Sequence, residues 1–214
     1  MKIKFFAAVL CLFFVQAVSA QQPTPTPNAT RVPVATPAPV ATPAPNATPA
    51  IVTTTAPVKE ANPADVSTID GIMKAVYEVI SGPAGQKRDW DRFRTLFHRD
   101  ARMIPSGKNP NTGVTGARAF TVEEYITRSA PFMEKEGFFE REIARRTDVY
   151  GTMAQVFSSY ASFHKADDKE PFVRGVNSFQ LLYDGKRWWV LNIFWLGETK
   201  ENPIPEKYLK TEKN

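Results

Sequence analysis

His98 and His164 are the only imidazoles in this 214-residue chain, and its one cysteine, Cys11, lies in an apolar run near the start. Neither histidine has an Asp or Glu at ligand spacing beside it, so no metal site is expected. No Ser, Thr or Cys stands in a recognisable nucleophile–base pattern, and no cofactor is implied. The turn "SGPAG" from Ser81 lacks the lysine and the spacing of a phosphate-binding loop. What remains is acid–base chemistry. Glu142, Asp148 and His98 are the first suspects as proton carriers. None of them is assigned a catalytic role from sequence.

These side chains need elements to hold them. In "ADVSTIDGIMKAVYEVISG", Ile69, Ile72, Met73, Val76, Val79 and Ile80 recur at three and four, which predicts a helix ended by Gly82-Pro83. "RDWDRFRTLFHRD" predicts a second, capped by Asp89 with Trp90, Phe93, Leu96 and Phe97 on one stripe. His98 then ends that helix, where an imidazole faces the negative end of the dipole. "ARMIPS" reads as a short strand. "TVEEYITRSAPFMEKEG" is a third helix, with a Thr121–Glu124 capping box and Gly137 as its stop. Long strands follow in "FFEREIARRTDVY", "TMAQVFSSYASFH", "FVRGVNSFQLLY" and "RWWVLNIFWLGE", the last two joined through Asp184-Gly185-Lys186. Consecutive hairpins make the sheet mainly antiparallel. Three helices gathered on one face of a curved sheet give an α+β cone.

This order, with "LFHRDARM" after the second helix and "RGVNSFQLLYDGKRWWVLNIFW" at the end, resembles the nuclear transport factor 2-like (NTF2-like) superfamily. Within it the chain is most similar to the SnoaL-like group, over about Val66 to Glu198. The resemblance implies a cone-shaped fold with a pocket between sheet and helices, often in a homodimer through the sheet. It does not imply one activity, since members include isomerases, dehydratases, cyclases and non-catalytic binding subunits. In the ketosteroid isomerase branch, a base Asp stands four residues beyond the Ala of an "F-x-x-D-A" step. Here "LFHRDARMIP" puts Pro105 there, which cannot take a proton. The place of that branch's second, protonated Asp is held by Asn177 of "VNSFQ", an amide that still donates. Tyr77 lies near the position of its first-helix Tyr.

Strand alternation places Trp189, Leu191, Ile193 and Trp195 on one face, with Asn177, Phe179 and Leu181 on the same side. The pocket candidates are therefore Tyr77, Tyr125, Asn177, Phe179, Trp189 and Trp195. They describe a cavity for a small, flat, apolar or aromatic molecule. On the strand from Phe138, Glu140 and Glu142 fall on one face and Arg141 and Arg145 on the other, the pattern of an edge strand or of a polar pocket rim. The leading expectation is a domain that binds a small molecule without assignable catalysis. Two others stay open: a lyase or isomerase using acid–base catalysis, and a protein-interaction module acting through the outer sheet face.

The ends and the charge add context. Lys2 and Lys4 precede "FFAAVLCLFFVQA" and Val18-Ser19-Ala20, so residues 1–20 read as a signal peptide and the chain as exported, periplasmic or secreted. The apolar run is shorter than the ~20 residues that span a bilayer, so no stable membrane span is expected after cleavage. Residues 21–63, with "ATPAPVATPAPNATPA", read as a Pro/Thr/Ala-rich disordered linker. Residues 64–200 form the domain and 201–214 a solvated tail. The formal charge of +5 carries +3 before Ala64, from Lys2, Lys4, Arg31 and Lys59 less Glu60. The domain's charges are interspersed, which excludes a nucleic-acid partner.

Overall fold

A computed structural model describes residues 60–211. The signal-peptide reading and nearly all of the linker reading lie outside the described residues. The described residues begin inside the segment expected to be linker. The Asn62 side chain accepts the Ala64 amide, and Pro63 opens helix α1, Pro63–Val66. Thr68 then caps a new helix, α2, Ile69–Ile80. The expected single helix is therefore two, because the Thr68 hydroxyl offers the Gly71 amide a better partner than continued helix. Helix α3, Trp90–Leu96, is capped by Asp89 as expected. It stops four residues early, and strand β1, Phe97–Lys108, takes over. His98 is thus a strand residue and not a helix end; its ring meets Trp189 edge-to-face at 6.1 Å. A short β2, Thr115–Ala117, precedes α4, Val122–Glu136. The Thr121–Glu124 capping box is present, and Gly137 follows with φ 74°.

The remaining strands are β3, Phe139–Tyr150; β4, Met153–Phe163; β5, Val173–Tyr183; and β6, Trp188–Gly197. The six described strands make one sheet in the order β2-β1-β6-β5-β4-β3. Every pairing is antiparallel except β1 with β6, which run parallel. The sheet is curved, and α2, α3 and α4 pack on its inner face. Phe93, Leu96, Ile72, Met73, Phe179, Leu181, Val156 and Val190 fill the space between. Burying side chains of this size contributes about 1.5–3 kcal/mol each against exposure.

The loop from Ser81 to Asp89 is held by one side chain. Arg88 is 6% exposed. Its guanidinium donates to the carbonyls of Ile80, Gly82, Pro83, Gln86 and Met133. It therefore satisfies the end of α2, the loop itself and the last turn of α4 together. Gly82 leaves the room it needs, since a Cβ there would stand 2.8 Å from an Arg88 nitrogen. The C-terminal tail is partly docked. Ile204 is buried, Tyr208 packs on Phe157, and the Ser159 hydroxyl donates to the Tyr208 carbonyl.

Candidate functional site

Strand register decides which side chains meet. On β3 the pairing passes from Glu142↔Tyr160 to Ala144↔Ser159, so Ile143 is an extra, bulged residue. Before the bulge Glu140 and Glu142 point inward. After it the alternation is reversed, and Arg145 faces inward opposite Ser158. The expected placement of Arg145 on the face opposite Glu142 is therefore corrected. Its guanidinium holds the Glu142 carboxylate through both oxygens, at 2.9, 3.0 and 2.6 Å, and reaches Asp70 of α2. Arg141 does stay on the outer side, where it lies over the Phe163 ring. β3 is indeed an edge strand, and it also walls a polar cleft.

Tyr77, from α2, points into the cone and is 6% exposed. Asn177, on β5, is also 6% exposed and turned inward, and its amide donates to the Tyr77 hydroxyl at 3.1 Å. That hydroxyl sits 2.6 Å from Ser158 Oγ, and Ser158 donates to Glu142 at 2.5 Å. The direction of the chain follows from its ends. An amide N–H only donates and a carboxylate only accepts, so Tyr77 donates to Ser158 and Ser158 to Glu142. Burial pushes the Tyr77 phenol upward, reinforced by the nearby Glu140 charge. Its proton is therefore fixed in the relay.

Glu140 stands beside this relay, with one carboxylate oxygen accepting from Ser162 at 2.8 Å. Burial pushes its carboxyl up to about 7, against the opposing hydrogen bonds from Ser162 and Asn177. It makes no ion pair among the described residues. Between α2 and β3 an open cleft of about 370 Å³ is lined by Lys74, Tyr77, Glu78, Ser81, Phe139, Glu140, Arg141, Glu142 and Arg145.

The six pocket candidates do not form one cavity. Tyr77 and Asn177 are joined in the relay. Phe179 is 0% exposed and meets Tyr77 edge-to-face at 6.4 Å, so it is core beneath the site. Tyr125 stacks on Phe93 and meets Trp195 edge-to-face, in an aromatic group nearer the α3–α4 end. Trp189 is on the outer face. The β5–β6 register slips between Gln180↔Asn192 and Leu181↔Val190, so Leu191 is bulged and Trp189 pairs with outward Leu182. There its indole donates to Asp184 and Arg187 lies over the ring. Pro105 of β1 is buried and paired with Trp195 of β6, and a proline takes no proton there. Asp148 is exposed, 4.0 Å from Arg146, and His98 bears on Trp189. Of the three carriers suspected from sequence, only Glu142 reaches the cleft, and the group poised to titrate there, Glu140, was not among them. Its signal was faint: a Glu two residues from Glu142 on a strand with no apolar face. Among the described residues no three His, Cys, Asp or Glu side chains converge on a common point, and no helix is long and apolar enough to cross a membrane.

No protein-family model matches the sequence, and no curated protein matches it. Solved structures are similar to it. An NTF2-like protein of unknown function from Shewanella baltica shares 14% identity at TM-score 0.41, over 61% of this chain and 91% of that one. A protein of unknown function with a cystatin-like fold from Nostoc punctiforme shares 10% at TM-score 0.48, over 66% and 96%. An NTF2-like protein of unknown function from Silicibacter pomeroyi shares 10% at TM-score 0.43, over 62% and 94%. The strand order β2-β1-β6-β5-β4-β3, with β1 parallel to β6 and the helices on the inner face, is itself that of an α+β cone. By the order and pairing of its elements, the chain has an α+β cone fold, a mainly antiparallel six-stranded sheet with helices on its inner face.

Proposed function

We propose that this domain binds a small molecule in the cleft between α2 and β3 and transfers a proton on it through Glu140. The observation that carries this is the setting of the Glu140 carboxyl. It lines the cleft, its hydrogen-bond partners are Ser162 and Asn177, and burial brings it to about 7. Near neutral pH such a group is present in both forms, so it can take a proton and return it, as a lyase or isomerase requires. A cleft of about 370 Å³ is at the small end of ligand sites. The charged and hydroxyl-bearing wall favours a polar ligand, in place of the flat apolar one expected from the tryptophans. Relay and bulge hold the wall in place: Tyr77, Ser158 and Glu142 are locked to one another, which leaves Glu140 as the group free to exchange protons with a ligand.

The test is a ligand-observed NMR screen of small hydroxyl-, carbonyl- and amine-bearing metabolites, followed by incubation of each hit in D2O. Solvent deuterium should enter a carbon position of at least one hit with the native protein and not with Glu140→Gln. Hits that bind away from the cleft, or exchange that survives Glu140→Gln, would overturn the reading.

A further inference from the structure

We propose that the ligand of the α2–β3 cleft is a small organic cation, an ammonium or guanidinium compound, seated against Glu140. The inference rests on the cleft being the binding site and deepens that reading by naming the ligand's charge. It comes from the pairing of charges around the cleft. On α2, Lys74 is paired with Glu78 at 2.8 Å. On β3, Arg145 is held by Glu142 and Asp70, and the Arg141 guanidinium lies outside, over Phe163. Around Glu140 stand Tyr77 and Asn177, which are neutral, Ser162, which donates to it, and Glu142, which carries its own cation. Every anion of the cleft wall except Glu140 thus has a cation of this chain beside it.

A half-buried carboxylate without a counter-ion is disfavoured, and a ligand cation supplies the missing charge. The aromatic Tyr77 in the lining suits the same guest, because aromatic rings attract ammonium and guanidinium groups. An anionic guest meets the opposite conditions. The cations it would seek are already neutralised, and Glu140 repels it. Binding of a cation also draws the proton off Glu140, so near pH 7 it releases a fraction of a proton to solvent.

The experiment uses the full chain and three probes of one size and three charges: n-butylammonium, n-butanol and butyrate. The side-chain amide resonance of Asn177, which touches both Tyr77 and Glu140, is the reporter. Butylammonium should shift it at millimolar concentration, with an apparent affinity about tenfold or more above butyrate. Glu140→Gln, nearly isosteric, should abolish that preference. Equal or stronger shifts with butanol or butyrate would overturn the cation while leaving the cleft as the site. No shift with any of the three at high millimolar concentration would overturn both. The native-protein series decides by itself if Glu140→Gln does not fold.

Discussion

Arg145 and Glu142 share one face of β3 only because Ile143 is bulged out between them, and the resulting ion pair is made through both carboxylate oxygens. Arg145 and Glu142 keep 16% and 22% of their side-chain exposure, so solvent screens the pair incompletely. Arg145→Met should therefore leave Glu142 with Ser158 as its remaining donor and lower stability by about 2 kcal/mol. Adding Glu142→Gln should recover part of the loss, because the uncompensated charge is gone. Urea denaturation of the two single variants and the double variant measures both quantities. A loss unchanged by the second substitution would mean that Arg145 acts by packing alone.

Glu140 gives the fold a pH dependence of definite sign. Its folded-state carboxyl is raised from 4.5 to about 7. Between those values the folded chain binds more protons than the unfolded chain, so stability falls as pH rises through that window. Below 4.5 both states are protonated and the penalty vanishes; above 7 it is complete. The side open to the cleft screens the charge, so the expected loss is about 2 kcal/mol, below the full linkage value. Glu140→Gln should flatten this part of the stability–pH curve and make the protein more stable than the native chain at pH 8. Chemical denaturation at half-unit steps from pH 4.5 to 8 tests it, and an equally steep curve for the variant would refute the assignment.

The long strands and the third helix were legible because alternation and capping are local signals. The four strands from β3 to β6 begin and end within a residue or so of where the alternation places them. Faces were less legible than spans. A single bulged residue carries no signature of its own, and it inverts every side chain beyond it. That inversion turns Trp189 outward past Leu191 and turns Arg145 inward past Ile143. Tyr77 and Asn177 both point into the cone, but their mutual hydrogen bond spans 100 positions and belongs to the tertiary fold. The sequence signal of Glu140 was faint for the same reason. What distinguishes it from Glu142 is the absence of a neighbouring cation, which only packing decides.

Arg88 shows the same limit in an architectural residue. Between Lys87 and Asp89 it reads as one more solvated charge, yet it is buried and donates to five backbone carbonyls. Arg88→Met should leave several of these carbonyls buried without a partner and cost about 3 kcal/mol. Arg88→Lys keeps the charge but has one nitrogen in place of a planar fork, so it should restore less than half of that. Thermal unfolding of both variants is the measurement. Full recovery with lysine would show that charge, and not the geometry of the fork, holds the loop.

The directed relay from Asn177 to Glu142 makes its members interdependent. Tyr77→Phe removes the hydroxyl that accepts from Asn177 and donates to Ser158, leaving a buried amide N–H short of an acceptor. Ser158→Ala removes the link to Glu142 and strands the Tyr77 proton. Each change should cost about 1–3 kcal/mol. Together they should cost less than the sum, by about 1 kcal/mol or more, because the second change removes a group that the first had already orphaned. The double-mutant cycle is read from urea denaturation midpoints at constant slope. It also bears on the proposed function. If the relay acts by holding the cleft wall, Tyr77→Phe should weaken ligand binding while leaving the pH midpoint set by Glu140 within about half a unit of its native value. A larger shift of that midpoint would place the Tyr77 hydroxyl among the groups that tune Glu140, and the relay would then be part of the acid–base site.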